Sequence, residues 1–213
     1  MFSATALLVN WQRPDNMAKV IHSLRLQSVP VEVILWNNNE SDDSDYDVDL
    51  QINCSENKLC YPRWLCAYFA STDFVFTLDD DIYLCSSVAI ERCIEFMKGR
   101  PVDTILGQTG VRLKGLDYWN SEHVLAPTSN DESVEVVKGR FMFTRKKFAC
   151  DLPIPPETFT RGDDIYVSSF SKNKCLPAFL RTSFTELPQG EVGLCDQPDH
   201  FEKRQQALEK HWK

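Results

Sequence analysis

The chain has 213 residues, 23 Lys and Arg against 31 Asp and Glu, a formal net charge of −8 and a hydrophobic content of 43%. That length is ample for a buried core, and the balance of apolar to charged residues excludes wholesale disorder. The acidic excess argues against a general nucleic-acid binder or a polybasic membrane-surface protein, since both need a cationic face.

No run approaches the ~20 apolar residues of a membrane span. The apolar run at residues 4–9 lacks the basic flank and small-residue cleavage site of a signal peptide. These readings predict a cytoplasmic chain with no nucleic-acid partner and no membrane insertion. The eight cysteines include no C-x-x-C pair and fit no zinc template, so they are expected as reduced thiols.

Residues 5–9 read as a buried strand, and Met17, Val20, Ile21 and Leu24 mark an amphipathic helix entered through Pro14. Residues 31–36 form a second β-rich run, halted by Asn37, Asn38 and Asn39, and Val48, Leu50 and Ile52 alternate as in a half-exposed strand. Pro62 suits the first turn of a helix carrying Leu65, Tyr68 and Phe69. Residues 74–78 are a third apolar strand. Ser86 or Ser87 is placed to cap a helix with Ile90, Cys93, Ile94 and Met97 on one face. This alternation implies an α/β fold, a mostly parallel sheet with helices on both faces.

The second half is less regular. Residues 134–137 and 141–144 read as strands around Lys138, Gly139 and Arg140, and a proline-rich loop leads to Gly162 and a helix. Residues 199–212 form a terminal helix with Phe201, Gln205, Leu208 and Trp212 on one face.

Three carboxylates, Asp79, Asp80 and Asp81, follow the third buried strand directly. They repel one another, and folding gains nothing obvious from them. Hard divalent cations take carboxylate oxygens, and open α/β sheets bind ligands at the carboxyl ends of their strands. The cluster therefore reads as a seat for Mn²⁺ or Mg²⁺, against the plainer alternative of a solvated turn. No G-x-G-x-x-G or P-loop sequence follows the first strand. Asn10, Trp11 and Arg13 stand there instead, with Asn37 and Asn38 after the second strand and Arg63 further on. Together they suit a nucleotide, amides reading base or ribose and arginines pairing with phosphate. Asp163 and Asp164 offer either a helix cap or a general base. His200 is a possible further metal ligand.

In their order along the chain, these motifs resemble the nucleotide-sugar glycosyltransferases of the GT-A fold. The likeness covers residues 4–172, with the segment from Glu56 through Lys58 to Arg63 similar to their nucleotide-side loop and residues 138–145 to their acceptor-side strand. Within that family the chain resembles small enzymes of large chlorella viruses that build glycans on a capsid protein, which would place it in the host cytoplasm. The resemblance implies a single domain, with a nucleotide-binding half at about residues 1–100 and an acceptor-side half at about 101–213.

The resemblance further implies a UDP-sugar donor, a hexose or deoxyhexose as the group transferred, and a glycan or glycoprotein acceptor. Asp81 would be the direct Mn²⁺ or Mg²⁺ ligand, Asp79 a ribose or metal contact, and Asp80 part of the same D-x-D motif. Asn10, Trp11, Arg13, Asn37, Asn38, Lys58 and Arg63 would line the nucleotide site. The acidic motif usually reads Glu-Asp and here is Asp163-Asp164, which leaves open which carboxylate acts. A diphosphate about 4 Å from a carboxylate is repelled by roughly 4 kcal/mol per charge pair at an effective dielectric near 20, hence the need for a cation. A sugar-phosphate nucleotidyltransferase and a non-catalytic carbohydrate-binding module are the competing classes.

Overall fold

A computed structural model describes residues 1, 3–42, 44–155, 161–190, 193 and 197–212. Its first half runs β1 (Ala4–Asn10), α1 (Pro14–Arg25), β2 (Val31–Asn37), β3 (Leu50–Asn53), α2 (Pro62–Leu65), β4 (Phe74–Leu78), β5 (Ile82–Leu84) and α3 (Ala89–Met97). The second half continues through β6 (Ile105–Gly107), β7 (Thr109–Lys114), β8 (Asp117–Leu125), β9 (Glu132–Ser133), β10 (Val136–Val137), β11 (Phe141–Arg145), α4 (Lys146–Asp151), α5 (Asp163–Ser169), β12 (Lys174–Leu176), β13 (Phe184–Glu186) and α6 (His200–His211).

The main sheet has the order β3-β2-β1-β4-β11-β6-β12-β9. β1 pairs in parallel with β2 and β4, and β2 with β3, so these strands all end on one edge. β11 runs antiparallel to β4, with Phe141 opposite Leu78. Its first residue therefore lies beside the last residue of β4, bringing the 138–140 loop to the edge where the aspartate triad begins. β7 and β8 form a hairpin joined by β10, and β13 pairs with β5 just beyond the triad.

The strands expected at 5–9, 31–36, 74–78 and 141–144 and α1 form, with Met17, Val20, Ile21 and Leu24 all buried. The strand expected with Val48 begins at Leu50, and of that expected at 134–137 only Val136–Val137 is a strand, paired with β7 in the small sheet. Two further expectations are corrected. Tyr68 and Phe69 are exposed, and the inward residues are Arg63, Trp64, Cys66 and Ala67. α2 lasts one turn and tightens into a 3₁₀ turn at Cys66–Phe69, so an α-helical period misplaces its inner face. No serine side chain caps α3: Gln27, just past α1, accepts the Ile90 N–H through Oε1 at 3.3 Å.

The core is aromatic at its centre, where Phe76 stacks on Phe143 with centroids 5.9 Å apart and meets Phe141 at 5.7 Å. A second cluster joins Val111, Tyr118, Val136, Ile165, Ala207 and Leu208, seating α6 against α5 and the β7–β8 hairpin. The seven described cysteines are unbonded, and Cys195 lies outside the described residues. No described helix is long and apolar enough to cross a membrane. Phe76→Ala is expected to lower stability by about 3–5 kcal/mol, read from the midpoint of urea unfolding.

Candidate active site

A cavity of about 410 Å³ opens where β1, β2 and β4 end. Two described non-glycine residues have left-handed backbone, Gln12 (φ 59°) and Leu59 (φ 61°), both in loops on its rim. Such strain persists where the surroundings fix it, and Gln12 turns the chain so that Arg13 faces the triad.

Each aspartate of the triad is matched by an arginine. Arg13 pairs with Asp80 at 2.5 Å, Arg63 with Asp79 at 2.5 Å, and Arg140 reaches Asp81 at 3.5 Å while also holding Glu186. Gln189 donates a further bond to Asp81 at 3.1 Å. Burial pushes the Asp80 carboxyl up to about 6 against the opposing pull of Arg13. Burial, and then the charge of Asp79, raise Asp81 as well.

Arg63 lies wholly buried at the centre. Besides Asp79 it donates to the Gly139 carbonyl at 3.1 Å and, through Nη2 and Nε, to Asp163 Oδ2 at 3.0 and 3.3 Å. The Trp64 indole N–H joins the same oxygen at 3.1 Å. Gly139 cannot be replaced without disturbance, because a Cβ there would stand 2.9 Å from an Arg63 nitrogen.

The second acidic pair divides into two roles. Asp164 is fully engaged: Oδ2 accepts from Arg204 at 2.9 Å and the Gly139 N–H at 3.1 Å, and Oδ1 from the Ile165 N–H at 2.9 Å. Burial would raise this carboxyl, but Arg204 and those backbone donors outweigh it and hold it below its ordinary value. Asp163 uses only Oδ2, and among the described residues its Oδ1 has no hydrogen-bond partner. Burial raises its carboxyl, with Asp164 and Asp79 adding to the effect and Arg63 opposing it.

Trp11, Arg13, Asn38, Lys58, Arg63, Asp79, Asp80, Asp81, Asp163, Asp164 and His200, all predicted from sequence, line this one cavity. Asn10 and Asn37 stand behind it. Asn10 Nδ2 donates to Asn37 Oδ1 at 3.0 Å and Asp42 Oδ2 at 2.6 Å, clamping the strand ends to the acidic loop. Asn38 accepts from the Trp36 indole at 2.9 Å and the Lys58 N–H at 3.0 Å, which fixes the rim. The Lys58 ammonium pairs with Glu56.

His200 does not join the triad. It opens α6, and the charges nearest it are Arg204, Arg161, Asp164 and Asp199, which puts it on the opposite wall. The resemblance put residues 138–145 on the acceptor side without giving Lys138 or Arg140 a place in the site, and sequence reasoning missed Arg161, Arg204, Tyr118 and His123 as lining residues. These four come from the hairpin, α6 and the loop before α5, where no local motif marks them.

Among the described residues no group of three His, Cys, Asp or Glu side chains could hold a metal ion unaided. Asp79 and Asp81 still suit a hard divalent cation, since both line the cavity and Asp79 keeps Oδ2 free of described hydrogen bonds. Two carboxylates with the remaining ligands drawn from substrate phosphate is the usual arrangement for such an ion.

No protein-family model matches the sequence, and neither does any curated protein. Solved structures do share the fold. TarS of S. aureus in complex with UDP-GlcNAc superposes with a TM-score of 0.71 at 12% identity over 98% of this chain and 66% of that one. The TarS complex with UDP gives 0.67 at 12% identity, over 98% and 65% of the two chains. The mannosyltransferase PcManGT from Pyrobaculum calidifontis, in complex with GDP-Man and Mn²⁺, gives 0.57 at 12%, over 83% and 57%. The chain thus spans just under two thirds of the TarS chains. The fold is GT-A-like, an α/β architecture with a mixed, mostly parallel sheet, structurally similar to nucleotide-sugar glycosyltransferases.

Replacing Arg63 by Leu leaves Asp79 and Asp163 without their shared cation. The expected loss of stability is about 3–5 kcal/mol, measured by urea unfolding. An unchanged unfolding midpoint would mean that the cluster is not held through Arg63.

Proposed function

We propose that this chain is a glycosyltransferase that moves a hexose or deoxyhexose from a UDP-sugar to a hydroxyl of a glycan or glycoprotein, with Mn²⁺ or Mg²⁺ as cofactor. The observation that carries this reading is the arginine-backed aspartate triad at the carboxyl ends of parallel strands. The fold shared with TarS bound to UDP-GlcNAc supports the choice of a nucleotide-sugar donor.

The cavity wall holds seven Lys and Arg side chains against five aspartates, so its local charge is opposite to that of the whole chain. Such a site attracts a diphosphate while the triad repels it, and a cation held by Asp79 and Asp81 would neutralise charge developing on the departing UDP. Arg13 fixes Asp80 between the two cation ligands, and Arg140 reaches Asp81. On the acceptor side, Asp163 Oδ1 takes the proton of the incoming hydroxyl as its oxygen bonds to the anomeric carbon and the bond from that carbon to UDP breaks. Burial raises the basicity of Asp163, and Arg63 with Trp64 locks its orientation. Asp164 anchors Arg204. The narrower resemblance to chlorella-virus enzymes, with action in the host cytoplasm as a single catalytic domain, rests on the order of the sequence motifs.

Calorimetric titration of UDP is expected to show binding with Mn²⁺ that weakens by about tenfold or more in EDTA and in Asp81→Ala. Equal affinity in EDTA would remove the cation from the proposal. For Asp163→Asn the expectation is unchanged UDP affinity with transfer slowed by about 10²–10⁴. Normal transfer by this variant would assign the base elsewhere.

A further inference from the structure

The wall opposite the triad is built differently from the rest of the cavity. Tyr118, Trp119 and His123 come from β8 and His200 from α6, and all four line the cavity. The Trp119 ring lies within 20° of parallel to His123 at 6.1 Å, packs on Phe201 at 4.2 Å and meets His200 at 6.2 Å. Its indole N–H donates to the Phe201 carbonyl at 3.1 Å, so the plate is locked in orientation. Beside this plate stand two polar groups without partners among the described residues. His200 Nδ1 is buried and makes no hydrogen bond. Lys138 is the cavity-lining cation with no described hydrogen bond or ion pair through its ammonium, and burial lowers its basicity.

A fixed aromatic plate beside unsatisfied polar atoms matches one ligand chemistry well. A pyranose offers an apolar face of C–H bonds to stack and a rim of hydroxyls that both donate and accept. We propose that the Trp119 wall is the acceptor subsite and binds one sugar ring of the acceptor glycan, stacked on the indole with hydroxyls toward His200 and Lys138. This rests on the glycosyltransferase reading above. Arg204 ties the wall to the acidic pair, since its guanidinium donates both to Asp164 and to the Tyr118 hydroxyl. A ring held on Trp119 therefore presents its hydroxyls to Asp163, while the donor occupies the strand-end side with Trp11 and Asn38.

The test titrates methyl glycosides of glucose, galactose, mannose, xylose, rhamnose and fucose into the intact chain, with and without UDP and Mn²⁺, reading tryptophan fluorescence. Trp119→Leu and His200→Ala are run in parallel, with UDP affinity measured by calorimetry. At least one glycoside should quench the unmodified chain saturably. Trp119→Leu should weaken that glycoside about tenfold while UDP affinity stays within about twofold. If Trp119→Leu fails to fold, His200→Ala keeps Trp119 as the reporter and should weaken the same glycoside.

Absence of binding by every glycoside, or equal binding by the variants, overturns the proposal. Loss of UDP affinity in Trp119→Leu also overturns it, by assigning the wall to the nucleotide. Failure of the unmodified chain to bind UDP would instead tell against the glycosyltransferase reading, and the titration without UDP would still decide the wall.

Discussion

The site depends on the burial of one guanidinium. Arg63 stands at the second position of a four-residue helix, yet it is 2% exposed and touches three segments distant in sequence. Desolvating an arginine costs several kcal/mol, and the arrangement holds only because two carboxylates and a carbonyl surround it with charge-assisted hydrogen bonds. The geometry serves the site more than it serves stability. One planar group with five donors sets the first triad aspartate, the 138–140 loop and the start of α5 in a single spatial relation. Lysine, a point charge on a flexible stem, would not fix three partners at once.

The same cluster resolves a tension in the composition. An acidic chain is a poor host for a phosphate ligand, and the three aspartates sharpen the difficulty. The excess acid, however, lies largely in the loop between β2 and β3, where residues 40–49 carry six acidic side chains and no basic one. Around the cavity the balance reverses, with arginines from five different elements or loops converging there. Field at a site is set by the charges that face it, and net charge is a statement about solubility and long-range approach.

What the sequence made legible was whatever the backbone dictates. Parallel strands end together, so residues just after apolar runs share an edge, and Trp11, Arg13, Asn38 and Asp79 to Asp81 all lie there. The failures share a cause. An α-helix from Pro62 through Phe69 is the natural reading of the apolar spacing, but the helix stops after one turn and Arg63 and Trp64 occupy the inner face, their shared partner Asp163 lying about 100 residues further on. Asn10 and Asn37 suit a ligand as amides, and the structure places them behind the cavity as a clamp between strand ends and loop. The β7–β8 hairpin has a weak sequence signature, because its turn, at Gly115 (φ 64°), lacks the Asn-Gly or Asp-Gly signal and its strands alternate poorly.

That division follows the two walls of the cavity. The strand-end wall is specified by sheet topology, which tolerates little change, so its residues form short motifs readable in order. The opposite wall is assembled from β8, the start of α5 and the first turn of α6, joined through the small cluster around Ile165 and Leu208 and through the Arg204–Asp164 pair. None of those elements is a strand of the main sheet, so their side chains can be exchanged without breaking one of its strand pairings. The strand-end wall is set by strand pairing, and Arg63 is the tie that holds the start of α5 to it. The residues hardest to read from the sequence, Tyr118, Trp119, His123 and Arg204, are therefore the ones that no strand pairing of the main sheet fixes.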